Sequence, residues 1–158
     1  MLGGWEFSPI LTAQTGLGLT VTQGCSFNLG GEVTCRPNRL ANGAVPDSQR
    51  NVDNWIDPNA FQILQLNPAQ PGFTPNQVFG SSGVGILRGP KLFNIDFNLS
   101  KNFALTERHT IQFRAEFFNA FNMARFGLPD GNMTSSTYGQ LTYAYEPRDI
   151  QFGLKFLW

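Results

Sequence analysis

The chain has 158 residues, the size of one ordinary domain, and its Lys+Arg and Asp+Glu totals are both 11, so the formal net charge is zero. Without a basic excess or cluster, no nucleic-acid partner is expected. Charged residues make up 14% of the composition, against about 25% in typical soluble domains, and Phe occurs 15 times; this excludes a generally disordered chain and leaves a surface short of charge.

The opening "MLGGWEFSPILT" has neither a basic n-region nor a continuous apolar h-region, so no secretory signal is expected in it. From Trp5 onward the apolar Trp5, Phe7, Leu11 and Ala13 alternate with Glu6, Ser8, Thr12 and Gln14, and the pattern runs on more weakly through Leu17, Leu19 and Val21. Period-two alternation is the mark of a strand with two different faces, here predicted over about 4–22. Pro9 within it points to an edge, a bulge or a break, and Ile10 falls on the otherwise polar side.

Residues from about 23 to 90 hold seven of the ten prolines, many Gly and Asn, and no sustained period, so a very long loop is expected there. Cys25 and Cys35 lie within it and are disulfide candidates if the loop is outside the cytoplasm; otherwise they are two unpaired thiols. Asp53 and Asp57 lack the oxygen-ligand spacing of a calcium loop, and turn or cap duty is the stronger reading. Trp55, Asp57, Phe61 and, further on, Arg88 are the candidate ligand-binding residues of this loop; the rival reading for Trp55 and Phe61 is that they pin the loop to itself. The glycines of "GSSGVGILRGPK" satisfy neither phosphate-loop pattern and are read as loop glycines.

The clearest segment is "KLFNIDFNLSKNFAL". Phe93, Ile95, Phe97, Leu99, Phe103 and Leu105 alternate with polar residues and only Lys101 interrupts the apolar set, which predicts one strand over 91–105, about 50 Å long. A tight connection at Thr106, Glu107 and Arg108 leads into 109–121, where Ile111, Phe113, Ala115, Phe117 and Phe121 oppose Gln112, Arg114, Glu116 and Asn122. Phe113, Phe117 and Phe121 also fit helical spacing, but the immediate return favours a hairpin. Arg114 and Glu116 share the polar row, where a charge ladder is favoured over ligand binding. His109 is the only histidine, so a multi-histidine metal site or dyad is impossible. A second long loop, about 122–148, precedes the final strand 149–158, in which Ile150, Phe152, Leu154, Phe156 and Trp158 form one wholly apolar face.

Long two-faced strands, one tight turn and two very long loops on the other side predict an all-β architecture: an antiparallel transmembrane β-barrel segment of about four long strands, a partial barrel with two long extracellular loops. No apolar run reaches the roughly 18 residues that a membrane-spanning helix needs. With the tight turn in the periplasm, Trp5, Phe7, Phe103, Phe113, Phe156 and Trp158 gather towards the inner rim as an aromatic girdle. Four strands cannot close a barrel, so the chain is expected to be the C-terminal end of a larger one, with Met1 an internal or artificial start. A soluble extracellular β-sandwich that binds carbohydrate is the alternative, and copies sharing one barrel a more distant one. No nucleophile, base and orienter set is readable, so neither enzymatic activity nor a cofactor is expected.

In order along the chain, "GWEFSPILTAQTGLGLTVT", "RPNRL", "NWIDPNAF", "FGSSGVGILRGP", "FNIDFNLSKNFALTERHTIQFRAEFFNAFN" and "PRDIQFGLKFLW" resemble the C-terminal region of TonB-dependent outer-membrane receptors, specifically the Oar-like group that carries a carboxypeptidase-regulatory-like domain. "ILRGP" and "RAEFFNAFN" are the most specific parts. The resemblance implies a 22-stranded barrel with a plug, importing scarce ligands with energy relayed by TonB. It further implies a bacterial outer-membrane location, outer-membrane lipid, the rest of the barrel and the plug as partners, and TonB only through that plug, which this chain lacks. Ile150, Phe152, Leu154, Phe156 and Trp158 would then be both lipid-facing and the signal read by the barrel assembly machinery.

Overall fold

A computed structural model of the chain describes residues 3–29, 32–65, 69, 71 and 80–158; the side chains of 25–34 lie outside the described residues. Its strands are β1 (Trp5–Gln14), β2 (Gly18–Leu19), β3 (Gln23–Leu29), β4 (Glu32–Cys35), β5 (Asn38–Arg39), β6 (Phe61–Gln62), β7 (Leu87–Arg88), β8 (Leu92–Ala104), β9 (Thr110–Phe118) and β10 (Asp149–Leu157), with one 3-10 turn at Pro58–Ala60. Among the described residues no helix is long and apolar enough to cross a membrane, which says nothing of crossing by strands.

The chain divides into two compact units. One comprises Met1–Thr15, Lys91–Arg125 and Tyr145–Trp158 and contains a four-stranded sheet in the order β1-β8-β9-β10, every pair antiparallel. Residues paired across an antiparallel ladder point to the same side, so the register sorts the side chains into rows. Trp5, Lys101, Phe113 and Leu154 form one row; Phe7, Leu99, Ala115 and Phe152 the next; Pro9, Phe97, Phe117 and Ile150 the one after. On the opposite side Ser8, Asn98, Glu116 and Gln151 share a row, as do Asn102, Gln112 and Lys155. β1 is the outermost strand on its side among the described residues, and Pro9 within it pairs with Phe97.

The turn from β8 to β9 is closed by the Leu105 and Thr106 amides donating to the His109 carbonyl at 2.9 and 3.2 Å. The Thr106 hydroxyl stands 2.8 Å from His109 Nδ1 and accepts from the His109 amide at 3.1 Å. A hydroxyl that satisfies the backbone of its own turn explains why so short a connection suffices.

The first strand corrects the sequence expectation of 4–22, since it ends at Gln14. The chain leaves the sheet at Gly16, where an added Cβ would lie 1.9 Å from the Gly89 carbonyl oxygen, and the Gly89 amide donates to the Leu17 carbonyl at 2.9 Å. Only glycine permits that approach.

The second unit, Gly16–Pro90 with Phe126–Ala144, takes in most of the long loops expected over 23–90 and 122–148 and gives them short ladders and a core. Three short antiparallel ladders, β2 with β7, β3 with β4 and β5 with β6, frame it. Its core is Leu19, Val21, Ile56, Ala60, Phe61 and Leu87, with Trp55, Ile86, Met133 and Tyr138 packed against it. Gln23, 1% exposed, satisfies both ends of its amide on Leu64: Nε2 donates to the carbonyl at 3.2 Å and Oε1 accepts from the amide N–H at 2.8 Å. The segment 126–144 is stitched in by backbone bonds from Thr22 to Gly131, Met133 to Thr22, Trp55 to Gly139 and Leu141 to Val52, all 2.8 to 2.9 Å. Cys35 is buried and disulfide-bonded, while the side chain of Cys25 lies outside the described residues.

Candidate functional site

Two surfaces carry the chemistry. The first is the apolar side of the four-stranded sheet: Phe152, Leu154 and Trp158 are 69%, 74% and 87% exposed, and Trp5, Phe7 and Leu11 are exposed too. A β-sandwich buries this side against a second sheet, whereas the remaining sheets of the described residues have two strands each. Rings along the face touch one another, Phe97 with Phe117 at 4.4 Å, Phe7 with Phe97 at 5.4 Å, Phe113 with Phe152 at 6.0 Å and Phe156 with Trp158 at 5.9 Å between centroids.

Of the girdle candidates, Trp5 and Phe113 share one row and Phe103 and Phe156 belong to the next row towards the turn, with Phe7 one row behind. Lys101 is the one cation within this face. It is 6% exposed, donates from Nζ to the Gly3 carbonyl, and lies 5.0 Å over the Trp5 ring and 5.6 Å over Phe103. Its charge is thereby met by a carbonyl and two ring faces, with its stem along apolar surface.

The other side of the sheet is polar. Arg114 pairs with Glu116 at 3.0 Å, Gln151 donates to the second Glu116 oxygen, and Gln112 donates to Asn102 at 3.0 Å. Asp96 accepts from Asn94 Nδ2 and from the Asn119 amide, each at 2.8 Å. Neighbouring rows are thus tied across strands by side chains as well as backbone.

The second surface lies in the unit built from Gly16–Pro90 and Phe126–Ala144, and here the expected ligand residues part company. Trp55 is half-buried; its indole Nε1 donates to the Arg88 carbonyl at 2.9 Å and the Arg50 guanidinium sits 4.8 Å over its ring. Trp55 and Arg88 line one cavity of about 290 Å³ together with Asn42, Arg50 and the apolar Ala44, Ile86 and Leu87. Phe61 is not there: it is 5% exposed inside the core, and its ring tip would meet a Cβ at Gly43 within 2.5 Å. Pinning of the loop, the rival reading, is its role. Asp57 caps the 3-10 turn by accepting from the Asn59 amide at 2.9 Å and lines a different cavity, with Asn54 and Asn59. Sequence reasoning missed Arg50; its only signal was a cation five residues from Trp55 in a charge-poor loop.

Two titrating groups in this unit are shifted. Burial pushes the Asp130 carboxyl up, but hydrogen bonds from Ser135, the Asn132 amide and Thr137 outweigh it and hold the group below its ordinary range. Burial, with the Asp57 charge second, raises the Tyr138 phenol to about 12, and its hydroxyl has no hydrogen-bond partner.

The model of one family, described as an outer membrane beta barrel domain, matches residues 1–151. No curated protein and no solved structure matches. A match running from the first strand into the last, over a sheet whose apolar side carries exposed aromatic and aliphatic residues, settles the kinship: the chain belongs to the outer membrane β-barrel domain family.

Proposed function

We propose that the chain supplies four contiguous wall strands, ligand-side loops and an assembly signal to an outer-membrane receptor of the TonB-dependent type, and that its part in importing a scarce ligand is binding and conduction rather than catalysis. The carrying observation is the sheet itself. One face is an exposed apolar band, the other a hydrogen-bonded polar surface, and both edge strands, β1 and β10, have a free ladder edge among the described residues. Open edges are not tolerated in lipid, so β1 and β10 must each pair with a further strand, of whatever origin, before the wall is complete.

Orientation follows from connectivity. β1 leads into the second unit and β8 leads out of it, and β9 and β10 are likewise joined through it, so both long insertions leave the sheet at the same end, opposite the five-residue turn between Ala104 and Thr110. In outer-membrane barrels long loops face outward and short turns face the periplasm. In this reading residues 16–90 and 126–144 belong to the outward-facing loops, with the plug, the rest of the barrel and, through the plug, TonB as the partners of the complete receptor. Ile150, Phe152, Leu154, Phe156 and Trp158 meet lipid and serve the assembly machinery.

Protease shaving of intact cells tests this reading. Cleavage within 16–90 or 126–144 without permeabilisation is expected, while 92–118 and 149–157 stay intact. Cleavage only after the outer membrane is opened would overturn it.

A further inference from the structure

We infer that the Trp55 cavity binds a small planar organic monoanion, a carboxylate carried on a flat apolar ring, with Arg88 as the charge partner. The inference deepens the receptor reading and rests on it for its biological sense.

Charge balance comes first. Arg50 is already met: Nη1 pairs with Asp47 at 2.8 Å and Nη2 donates to the Val45 carbonyl at 2.7 Å, while its buried Nε has no partner. Arg88 differs, because only its backbone is engaged, through β2 and through the Trp55 indole, and among the described residues its guanidinium has neither an ion pair nor a hydrogen bond. No carboxylate lines the cavity. The Arg88 side chain is exposed and open to a partner, and a single guanidinium fork suits one negative charge and not two. A guanidinium fork matches a carboxylate in two parallel bonds.

Shape decides the remainder. At about 290 Å³ the cavity is at the lower limit of small-molecule sites, room for a single ring. Ala44, Ile86 and Leu87 give it apolar walls that an inorganic anion would not use. Trp55 is fixed at two points, its backbone amide on the Gly139 carbonyl and its indole on the Arg88 carbonyl, each at 2.9 Å, so the indole is held in the cavity wall before any ligand arrives, with the Arg50 guanidinium already 4.8 Å over its ring. A neutral sugar would exploit the indole and leave the Arg88 charge idle.

The experiment is calorimetric titration of the full chain in detergent micelles with benzoate, and with acetate and benzyl alcohol as comparators. Saturable benzoate binding is expected, with acetate and benzyl alcohol each much weaker. Arg88→Gln should weaken benzoate by about tenfold or more, the size of a lost charge-assisted pair, with partial recovery in Arg88→Lys. Glu107→Gln, in the exposed turn between β8 and β9, should leave the affinity unchanged. In the unaltered chain, binding should fade as the pH drops far enough to protonate the benzoate, a readout that does not depend on any variant folding. Absence of saturable benzoate binding, equal binding of acetate or benzyl alcohol, indifference to Arg88→Gln, or undiminished binding of neutral benzoic acid would each overturn the site. Benzoate binding in a chain whose loops resist shaving on intact cells would leave the site standing and remove the receptor reading alone.

Discussion

At the residue scale, sequence shows what a side chain is and structure shows what surrounds it, and Trp55 and Phe61 illustrate the gap. Both are large aromatics in a polar, proline-rich loop, so composition gives them the same expectation; Phe61 is buried in a core that no periodicity announces, and Trp55 is held at the rim of a cavity by an arginine carbonyl. Tyr138 offers a sharper test of that core. Its phenol is neutral in the folded unit up to about 12, whereas an unfolded tyrosine ionises near 10. Because the folded pKa is raised, the stability tied to the neutral phenol is complete below pH 10 and is lost as the pH climbs through about 12. Absorbance titration should therefore show a tyrosinate step near pH 12 that accompanies loss of near-ultraviolet circular dichroism and is missing in Tyr138→Phe. A chain whose tyrosines have all ionised by pH 11 with tertiary structure intact would contradict the burial.

At the element scale the strands were the legible part. Alternation marks β8, β9 and β10 within a few residues of their ends because the two sides of a strand in this sheet meet two different environments, and the sequence records that contrast directly. The same rule misled at the end of β1. Leu17, Leu19 and Val21 keep the period, yet Leu19 and Val21 are 5% and 0% exposed within the core of the second unit. Alternation reports that one side is apolar and not which apolar surroundings receive it. The two sides of β10 can be separated by one pair of variants. Phe152→Arg places a charge on the apolar face near the strand's midpoint, where such a change costs about 2–4 kcal/mol at the bilayer midplane. Gln151→Arg puts the same charge one residue earlier on the polar side, within reach of Glu116. Heat-modifiable gel mobility of membrane-inserted material should be lost or much reduced in the first and kept in the second; equal behaviour would mean that the exposed face does not meet lipid.

At the scale of the whole molecule, the sequence distinguishes strands from loops and leaves unsaid that the loops fold. Their interior is assembled from single apolar residues far apart, Leu19, Ile56 and Leu87 among them, joined by two-residue ladders too short to leave a period. The composition that reads as irregular, rich in Gly, Pro and Asn, belongs to close approaches such as Gly16 against Gly89 and to side chains that cap turns, as Asp57 does. Two units with different solvents should also fail independently. In the function proposed above the sheet meets lipid on its apolar face, whereas the second unit has a protein core of its own centred on Ile56, 2% exposed. Ile56→Ala removes buried methyl groups that the surroundings cannot replace and should cost about 2–5 kcal/mol there. In the full chain in micelles, amide exchange is expected to accelerate across 19–22, 55–61 and 86–88, with β8, β9 and β10 still protected and the heat-modifiable mobility unchanged. Exchange that accelerates equally in the sheet would show one cooperative body in place of two, and would make the loops part of what holds the wall together.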